Sequence, residues 1–542
     1  MKAIYRYIYL TITVILLLTS CNDFLDKIPD NRAELKTPQQ ITDLLVNAYS
    51  TQNYAVLGEL SADNFVDNNS PDAKGIYYNL PSFDKFDDEV YAWEDVVSSD
   101  QEDTPSGVWS GCYHAIAVDN HALQAIAVLE ADGRADEVKA QKGEALLSRA
   151  YHHFILVNIF SQAYKNDELS KIDLGIPYVT EPEITVMVDY ERSNVTEVYK
   201  NIEKDIEEGI SLINDNNYSI PKYHFNSRAA HAFAARFYLF KRDYNKVVLH
   251  ANAAIGTSPS TYMRNWNAEF PTFDAFTYGW INSESLNNFL LLPTASTFNR
   301  RFGSRYSCNR DAASATIFGT GPTWSNYSYA PCYSGRLYIR GSQEYGLFFP
   351  KTGEFFEYTD KIAGIGYAHV VRAEFTGEET LLCRAEAYVY LNQISDAVAD
   401  LKVLDDSRKM TGKTQSDLTE SVIRSFYTSS RPLFVNKLNS ELMSPDFIVT
   451  TSQKPIVDCI LHYRRLETIF DGMRWLDIKR YGIELTRKIG KNRVETLKWD
   501  DMRRAIQIPQ EVISAGLEPN IRLLPNIAAE NTLLNIPSVE IN

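Results

Sequence analysis

Aromatic rings set among polar side chains are the residues of this 542-residue chain best suited to chemistry. A sugar ring has an apolar C–H face that stacks on an indole or phenol, while its hydroxyls seek Asn, Asp, Gln or Arg. The same rings can anchor a protein partner. Trp93, Trp280, Trp324, Tyr327 and Tyr329 lie in loop-like polar contexts, most densely in Trp324-Ser325-Asn326-Tyr327-Ser328-Tyr329, and are the candidate ligand-binding residues. Trp109, Tyr113, Tyr238 and Tyr388 fall on helical apolar stripes and are expected in the core. Catalytic signatures are missing: there is no His-Glu-x-x-His, Gly-x-Ser-x-Gly, P-loop or Cys-x-x-Cys. His152 and His153 are adjacent on a helical pattern and point apart, whereas helical metal ligands need i, i+4 spacing, so they read as structural. No catalytic residue, metal site or cofactor is expected. The 70 carboxylates leave room for a glycosidase pair, but no spacing singles one out.

The second chemistry is acylation. Lys2 and Arg6 precede an apolar run from Ile8 to Leu18, and Thr19-Ser20 lead directly to Cys21. A basic start, an apolar stretch and small residues before a cleavage point make an export signal. Leu18-Thr19-Ser20-Cys21 resembles the bacterial lipobox, in which the thiol is acylated, the chain is cut before the cysteine and the new amine is acylated too. Residues 1–20 are thus the expected signal and Cys21 the lipidation site. Each buried methylene adds about 0.8 kcal/mol of anchoring. Losing Lys2 and Arg6 takes the formal charge from −16 to −18, which argues against nucleic acid and against adhesion to anionic lipid. No later stretch is long and apolar enough to span a bilayer. Cys112, Cys308, Cys332, Cys383 and Cys459 remain, an odd set at wide spacings and no disulfide framework. Cys308 and Cys332 can pair in an oxidising compartment; Cys383 and Cys459 sit in helical apolar patterns as small buried residues.

The elements that must position these residues are mostly helical. Thr37-Pro38 opens one helix, Trp109 to Leu123 a second, Ala140 to Phe160 a third, and residues 195–213 a fourth. An alanine-rich pair follows over 228–255. A matching pair near the C-terminus aligns without gaps when Ala235 is set on Ala385, placing Tyr238 on Tyr388 and Val248 on Val398. Small residues let paired helices approach closely, the design of a tetratricopeptide-like hairpin that must stack to bury its face. Residues 261–360 differ, with 23 aromatics among them and weak helical periodicity. The expected plan is a mainly α, single large globule. It has an N-terminal helical region over 21–260, a loop-rich aromatic excursion over 261–370 and a C-terminal helical region over 371–542.

The segment Ile460-Leu-His-Tyr-Arg-Arg-Leu-Glu-Thr-Ile-Phe-Asp-Gly-Met-Arg-Trp-Leu-Asp-Ile-Lys-Arg-Tyr-Gly482 resembles the C-terminal signature of the SusD/RagB family. Arg464 or Arg465, Glu467, Gly472, Arg474, Asp477 and Arg480 stand at family positions; Tyr463, Thr468 and Asp471 depart from them. Read from the residues alone, Gly472 ends one helix and starts another, and Glu467, Arg474, Asp477 and Arg480 can form ion pairs that lock the two. Cys21-Asn-Asp-Phe-Leu-Asp-Lys-Ile-Pro29, Arg149-Ala-Tyr151 with Gly175-Ile-Pro177, both hairpins and Ile506-Gln-Ile-Pro-Gln-Glu511 extend the resemblance along the mature chain. It implies a lipid-anchored, surface-exposed lipoprotein of the outer membrane, one that binds oligosaccharide and delivers it to a SusC-like TonB-dependent transporter. The helical side would face the transporter and the loop-rich side the ligand. A peptide-binding RagB-type lid, a scaffold that touches no ligand and a surface glycosidase are the alternatives.

Overall fold

The structure, a computed structural model, describes residues 35–183, 190–325, 346–347, 350–409, 415–429 and 437–522. The expected signal, Cys21, Tyr327, Tyr329 and Cys332 lie outside the described residues. Local chemistry starts the helices. The Thr37 hydroxyl accepts the Gln40 N–H, the Gln40 side chain accepts the Thr37 N–H, and Pro38 takes the first position of α1 (Pro38–Leu45). After the short α2 (Ala55–Ser61) and α3 (Lys85–Tyr91), the Thr104 hydroxyl accepts the Gly107 N–H and Pro105 opens α4 (Pro105–Ala131). α5 (Lys139–Phe160) is buried on every side from Gly143 to Phe160 and forms the axis of the N-terminal half. α6 (Val195–Leu212) lays Val195, Val198, Ile202 and Ile206 against it. The two helices meet at glycines: a Cβ on Gly143 would stand 2.9 Å from the Gly209 carbonyl oxygen.

The alanine-rich hairpin is α7 (Ser227–Lys241) and α8 (Tyr244–Ile255). Past α9 (Phe273–Trp280), its counterpart is α10 (Gly377–Tyr390) and α11 (Ile394–Arg408). Both turn by the same device. Arg242 (φ 67°) and Asn392 (φ 59°) are left-handed. Arg242 and Asp243 donate their N–H groups to the carbonyls of Leu239 and Tyr238, and Asn392 and Gln393 donate to those of Val389 and Tyr388. The ungapped alignment therefore holds at the level of single backbone hydrogen bonds. α10 packs on both α7 and α8, so the hairpins stack.

The middle of the chain holds more than loops. β2 (Asn288–Thr294), β4 (Glu354–Asp360) and β5 (Ile365–Thr376) form an antiparallel sheet in the order β2-β5-β4. Two short pairs accompany it, β1 (Val66–Asp67) with β3 (Tyr306–Ser307), and β6 (Leu485–Ile489) with β7 (Arg493–Leu497). β5 runs through residue 370 to Thr376, whose hydroxyl caps α10, so a hydrogen-bonded strand joins the excursion to the scaffold. Cys112, Cys308, Cys383 and Cys459 carry buried free thiols; the partner suggested for Cys308 lies outside the described residues.

Beyond α12 (Glu420–Thr428), the signature segment forms α13 (Lys454–Glu467) and α14 (Met473–Arg480), separated by Gly472 at φ 78°. Its charges pair more widely than the segment alone suggests. Asp477 meets Arg464 at 3.1 Å and Arg480 at 2.8 Å, within the two helices. Glu467 instead takes Arg408 from α11 at 2.7 Å, and Arg474 takes Asp63 at 2.8 Å. This corrects the self-contained lock: helical facing leaves Glu467 and Arg474 turned outward from the α13–α14 pair, toward other elements. Burial raises the Asp477 carboxyl, and Arg464 and Arg480 more than reverse it, leaving it below its ordinary range. Further ion pairs extend these contacts through the interior: Glu378 joins Arg264 and Arg408, Arg236 joins Glu374 and Glu379, Arg372 joins Glu374, Arg480 joins Glu386, and Lys351 joins Asp471.

Glu59 of α2 binds the same segment, accepting the N–H groups of Phe470 (3.0 Å) and Gly472 (3.1 Å). Burial pushes this carboxyl up to about 7, against the pull of Asn64 and the Gly472 N–H. A carboxyl raised in the fold stabilises fully below its unfolded value of 4.5 and loses that contribution as pH climbs through 7. Glu59→Gln is expected to flatten the loss of unfolding free energy between pH 5 and 8 by on the order of 2 kcal/mol, read from urea unfolding across that range.

Candidate functional site

Three distant stretches meet at one cavity of about 280 Å³, lined by the early segment from Asp63 to Asp72, by Tyr91, by Asn309 and Asp311, and by Leu485 to Lys488. The β1–β3 pair makes the junction, bringing Val66 opposite Ser307 and Asp67 opposite Tyr306. Asp67 holds it closed. Its carboxylate accepts Arg305 Nε (3.0 Å) and Nη2 (2.9 Å), the Asn69 N–H (2.9 Å) and the Gly490 N–H (2.7 Å). With that many donors Asp67 is a clamp; it has little capacity left for a ligand. Asn68 adds bonds to Ser307 Oγ and the Ser304 carbonyl, and its own Oδ1 accepts from Asn309.

The signature helices fix the wall from behind. Arg474 reaches both oxygens of Asp63 at 2.8 and 2.9 Å, and Arg465 binds the Asp63 carbonyl and Asn64 Oδ1, each at 2.8 Å. Burial raises Asp63, but Arg465 and Arg474 outweigh it and hold the carboxyl well below its usual range. The charge of this wall residue is thus permanent and already neutralised. Facing the opening are groups with spare capacity: the Asp311 carboxylate is exposed, Lys488 donates to the Pro71 carbonyl at 3.1 Å from an exposed position, and Asp72 turns the chain through Lys74 and Ile76. That turn carries Tyr77, 44% exposed and outside the cavity lining, with the Lys491 ammonium 4.2 Å from its ring centre. Polar groups of both signs beside an open phenol suit a neutral, hydroxyl-rich ligand.

Below the cavity, rings and a guanidinium stack in layers. Tyr91 lies on Tyr306 at 4.3 Å, and Arg487 is 4.2 Å from the Tyr91 ring and 4.0 Å from Trp93. Arg487 donates to the carbonyls of Leu60, Ser61, Ala62 and Tyr91; burial lowers its guanidinium to about 10. Trp93, expected at the ligand, sits one layer beneath it, 5% exposed, its indole N–H given to the Ser61 carbonyl at 3.0 Å.

The other two tryptophans are also internal. Trp280 is 3% exposed, stacked on Phe276 at 5.6 Å with Arg264 4.1 Å above it, and it roofs the interior charge network. Trp324 gives its N–H to the Gly319 carbonyl at 3.1 Å and packs edge-on against Tyr463 of α13 at 5.3 Å. All three are corrected from ligand-facing to packing roles, because polar neighbours in sequence do not keep a large ring in water when distant helices offer it an apolar face. Of the rings expected in the core, Tyr238 is fully buried and Trp109 nearly so, while Tyr113 and Tyr388 are half-buried. His152 and His153 are buried staples. Each ring bonds the carbonyl four residues back, each Nε2 accepts a backbone N–H, from Ser50 and Val179, and burial lowers them to about 4 and about 3. Tyr77 carries no sequence signal that separates it from Tyr78, Phe83 or Tyr91 in the same polar stretch.

Two family models match this chain. One, described as "Starch-binding associating with outer membrane", covers residues 23–239, and the other, described as "SusD family", covers residues 351–520. Among solved structures, a candidate sugar binding protein from Bacteroides vulgatus is 18% identical, aligns over 90% of this chain and 99% of its own, and has a TM-score of 0.61. SusD superfamily proteins from Bacteroides fragilis (18% identity, 89% and 99% coverage, TM-score 0.59) and Bacteroides thetaiotaomicron (18%, 90% and 100%, 0.57) share the same fold. No curated protein sequence matches. The two models together span most of the chain and include both the N-terminal helices and the α13–α14 signature, and the chain belongs to the SusD/RagB family.

Proposed function

We propose that this protein captures a glycan at the outer surface of the cell and passes it to a SusC-like TonB-dependent transporter, anchored meanwhile through an acylated Cys21. Family membership and the sugar-binding description of the Bacteroides vulgatus neighbour support the class of ligand. The observation that carries the reading is the cavity where the early segment meets Asn309 and Asp311, with mixed polar groups around it and Tyr77 exposed on the turn that follows its Asp72 wall. The role is binding without bond-breaking: Asp63 and Asp67 at the cavity are committed to arginines and backbone N–H groups, which takes both out of the roles of acid and base. Tyr327 and Tyr329 remain part of the proposal as further ring contacts. Tyr77→Ala and Asp311→Asn in the soluble form (residues 22–542) are each expected to weaken glycan affinity at least tenfold, about 1.4 kcal/mol. Both side chains are exposed, so the thermal midpoint should not move. Unchanged affinity in both variants, for a glycan the parent protein binds, would place the ligand elsewhere.

A further inference from the structure

A second cavity, of about 230 Å³, shares no lining residue with the first. One wall is α4, which presents Trp109, Tyr113 and Ile116; the second is made by residues 177–183, and the third holds Val512 and Leu517. The second wall is stapled to the helices. Tyr113 gives its hydroxyl proton to the Pro177 carbonyl at 2.8 Å, Asn120 Nδ2 donates to the Val179 carbonyl at 3.1 Å, and His153 Nε2 accepts the Val179 N–H at 3.1 Å. Fixed elements thus frame the space, and its size is sufficient for an organic ligand, since a dry cavity of about 150 Å³ holds benzene.

The charge of this cavity is one-sided. Glu181 and Glu183 line it from exposed positions, and among the described residues no lysine, arginine or histidine lines it or pairs with either carboxylate. Arg192, whose charge reaches Tyr113, spends its donors on the carbonyls of Gly175 and Glu518 and on Asn520. Tyr190 gives its proton to Glu183 at 2.7 Å, so neither phenol in the lining keeps a proton for a ligand. The carboxylates call for a ligand that brings donors and positive charge, and indole and phenol rings attract a cation through their π electrons. A sugar fits poorly, because hydroxyls circle its ring and would meet Ile116, Val512 and Leu517 on the apolar walls. Nor can the neighbouring chain supply the charge: residues 184–189 and 523–542, which follow these walls in sequence and lie outside the described residues, contain no lysine or arginine. We propose that this cavity binds a small organic cation, one ammonium group on an aromatic or branched apolar body, with the body between α4 and residues 512–517 and the ammonium at Glu181 and Glu183.

Calorimetric titration of the soluble form (residues 22–542) with phenethylamine, phenethyl alcohol and 3-phenylpropionate separates charge from apolar fit. The expected result is one phenethylamine per chain, bound about tenfold more tightly than the alcohol, and no binding of the carboxylate. Glu181→Gln and Glu183→Gln, both at exposed positions, should each weaken the amine about threefold without moving the thermal midpoint. Equal affinity for the amine and either of the other two compounds, an amine affinity that both glutamine variants leave unchanged, or no binding of any of the three overturns the proposal.

Discussion

Arg408→Met is expected to destabilise the protein by about 3–5 kcal/mol, the cost of removing one partner from a buried ion pair. Arg408 is enclosed, with Nε and Nη2 on the two oxygens of Glu467 at 2.9 and 2.7 Å, Nη1 on the Arg264 carbonyl at 2.6 Å and its guanidinium 4.2 Å from the Trp266 ring. Methionine keeps most of the volume but strands the Glu467 carboxylate in a dry interior, where desolvation dominates. The double variant Arg408→Met/Glu467→Leu removes both charges and should recover more than half of the loss. Urea unfolding of parent, singles and double closes the cycle. Equal losses in the single and double variants would mean that packing around Arg408, and not its charge, holds the signature to α11.

Gly472→Ala is expected to cost about 2–5 kcal/mol. Gly472 sits at φ 78°, where a Cβ alone costs about 1–2 kcal/mol, and that Cβ would also stand 2.9 Å from the Ala55 Cα. The contact is backbone against backbone, so no side-chain rotation relieves it, and overpacking adds about 1–3 kcal/mol. Gly58 sees the same contact from the other side, its Cβ falling 2.4 Å from the Gly472 carbonyl oxygen. Gly58→Ala should therefore be as damaging although its own backbone is helical, which separates close approach from left-handed strain. A thermal melt distinguishes them: if Gly58→Ala is silent and Gly472→Ala is not, only the dihedral matters.

Local patterns were legible in the sequence, and long-range placement was not. The hairpin repeat could be read because each unit is set by neighbours in sequence, and its turns at Arg242 and Asn392 follow the alignment bond for bond. The Asp477–Arg480 pair was equally legible, being three residues apart on one helix. Glu467 and Arg474 were misplaced because their partners, Arg408 and Asp63, arrive from other elements. Trp93 failed for the same reason: the cation that covers it is Arg487, on β6. The sheet was hidden because β5 joins a half-exposed hairpin to a buried stretch, so its alternation is broken midway, at Val370-Val371. Tyr77 had every property of its aromatic neighbours, and Phe83 is nearly as exposed at 41%; what sets Tyr77 apart is its place on the turn that Asp72 makes.

Diffraction from crystals of the soluble form grown with the tightest-binding oligosaccharide, chosen by titration against plant, host and microbial glycans and a peptide mixture, is the most direct test of glycan capture. Sugar density beside Tyr77, with hydroxyls within hydrogen-bond distance of Asp311 or Lys488, is the expected result. A peptide in that place, or sugar bound away from the early segment and Asn309, would contradict it.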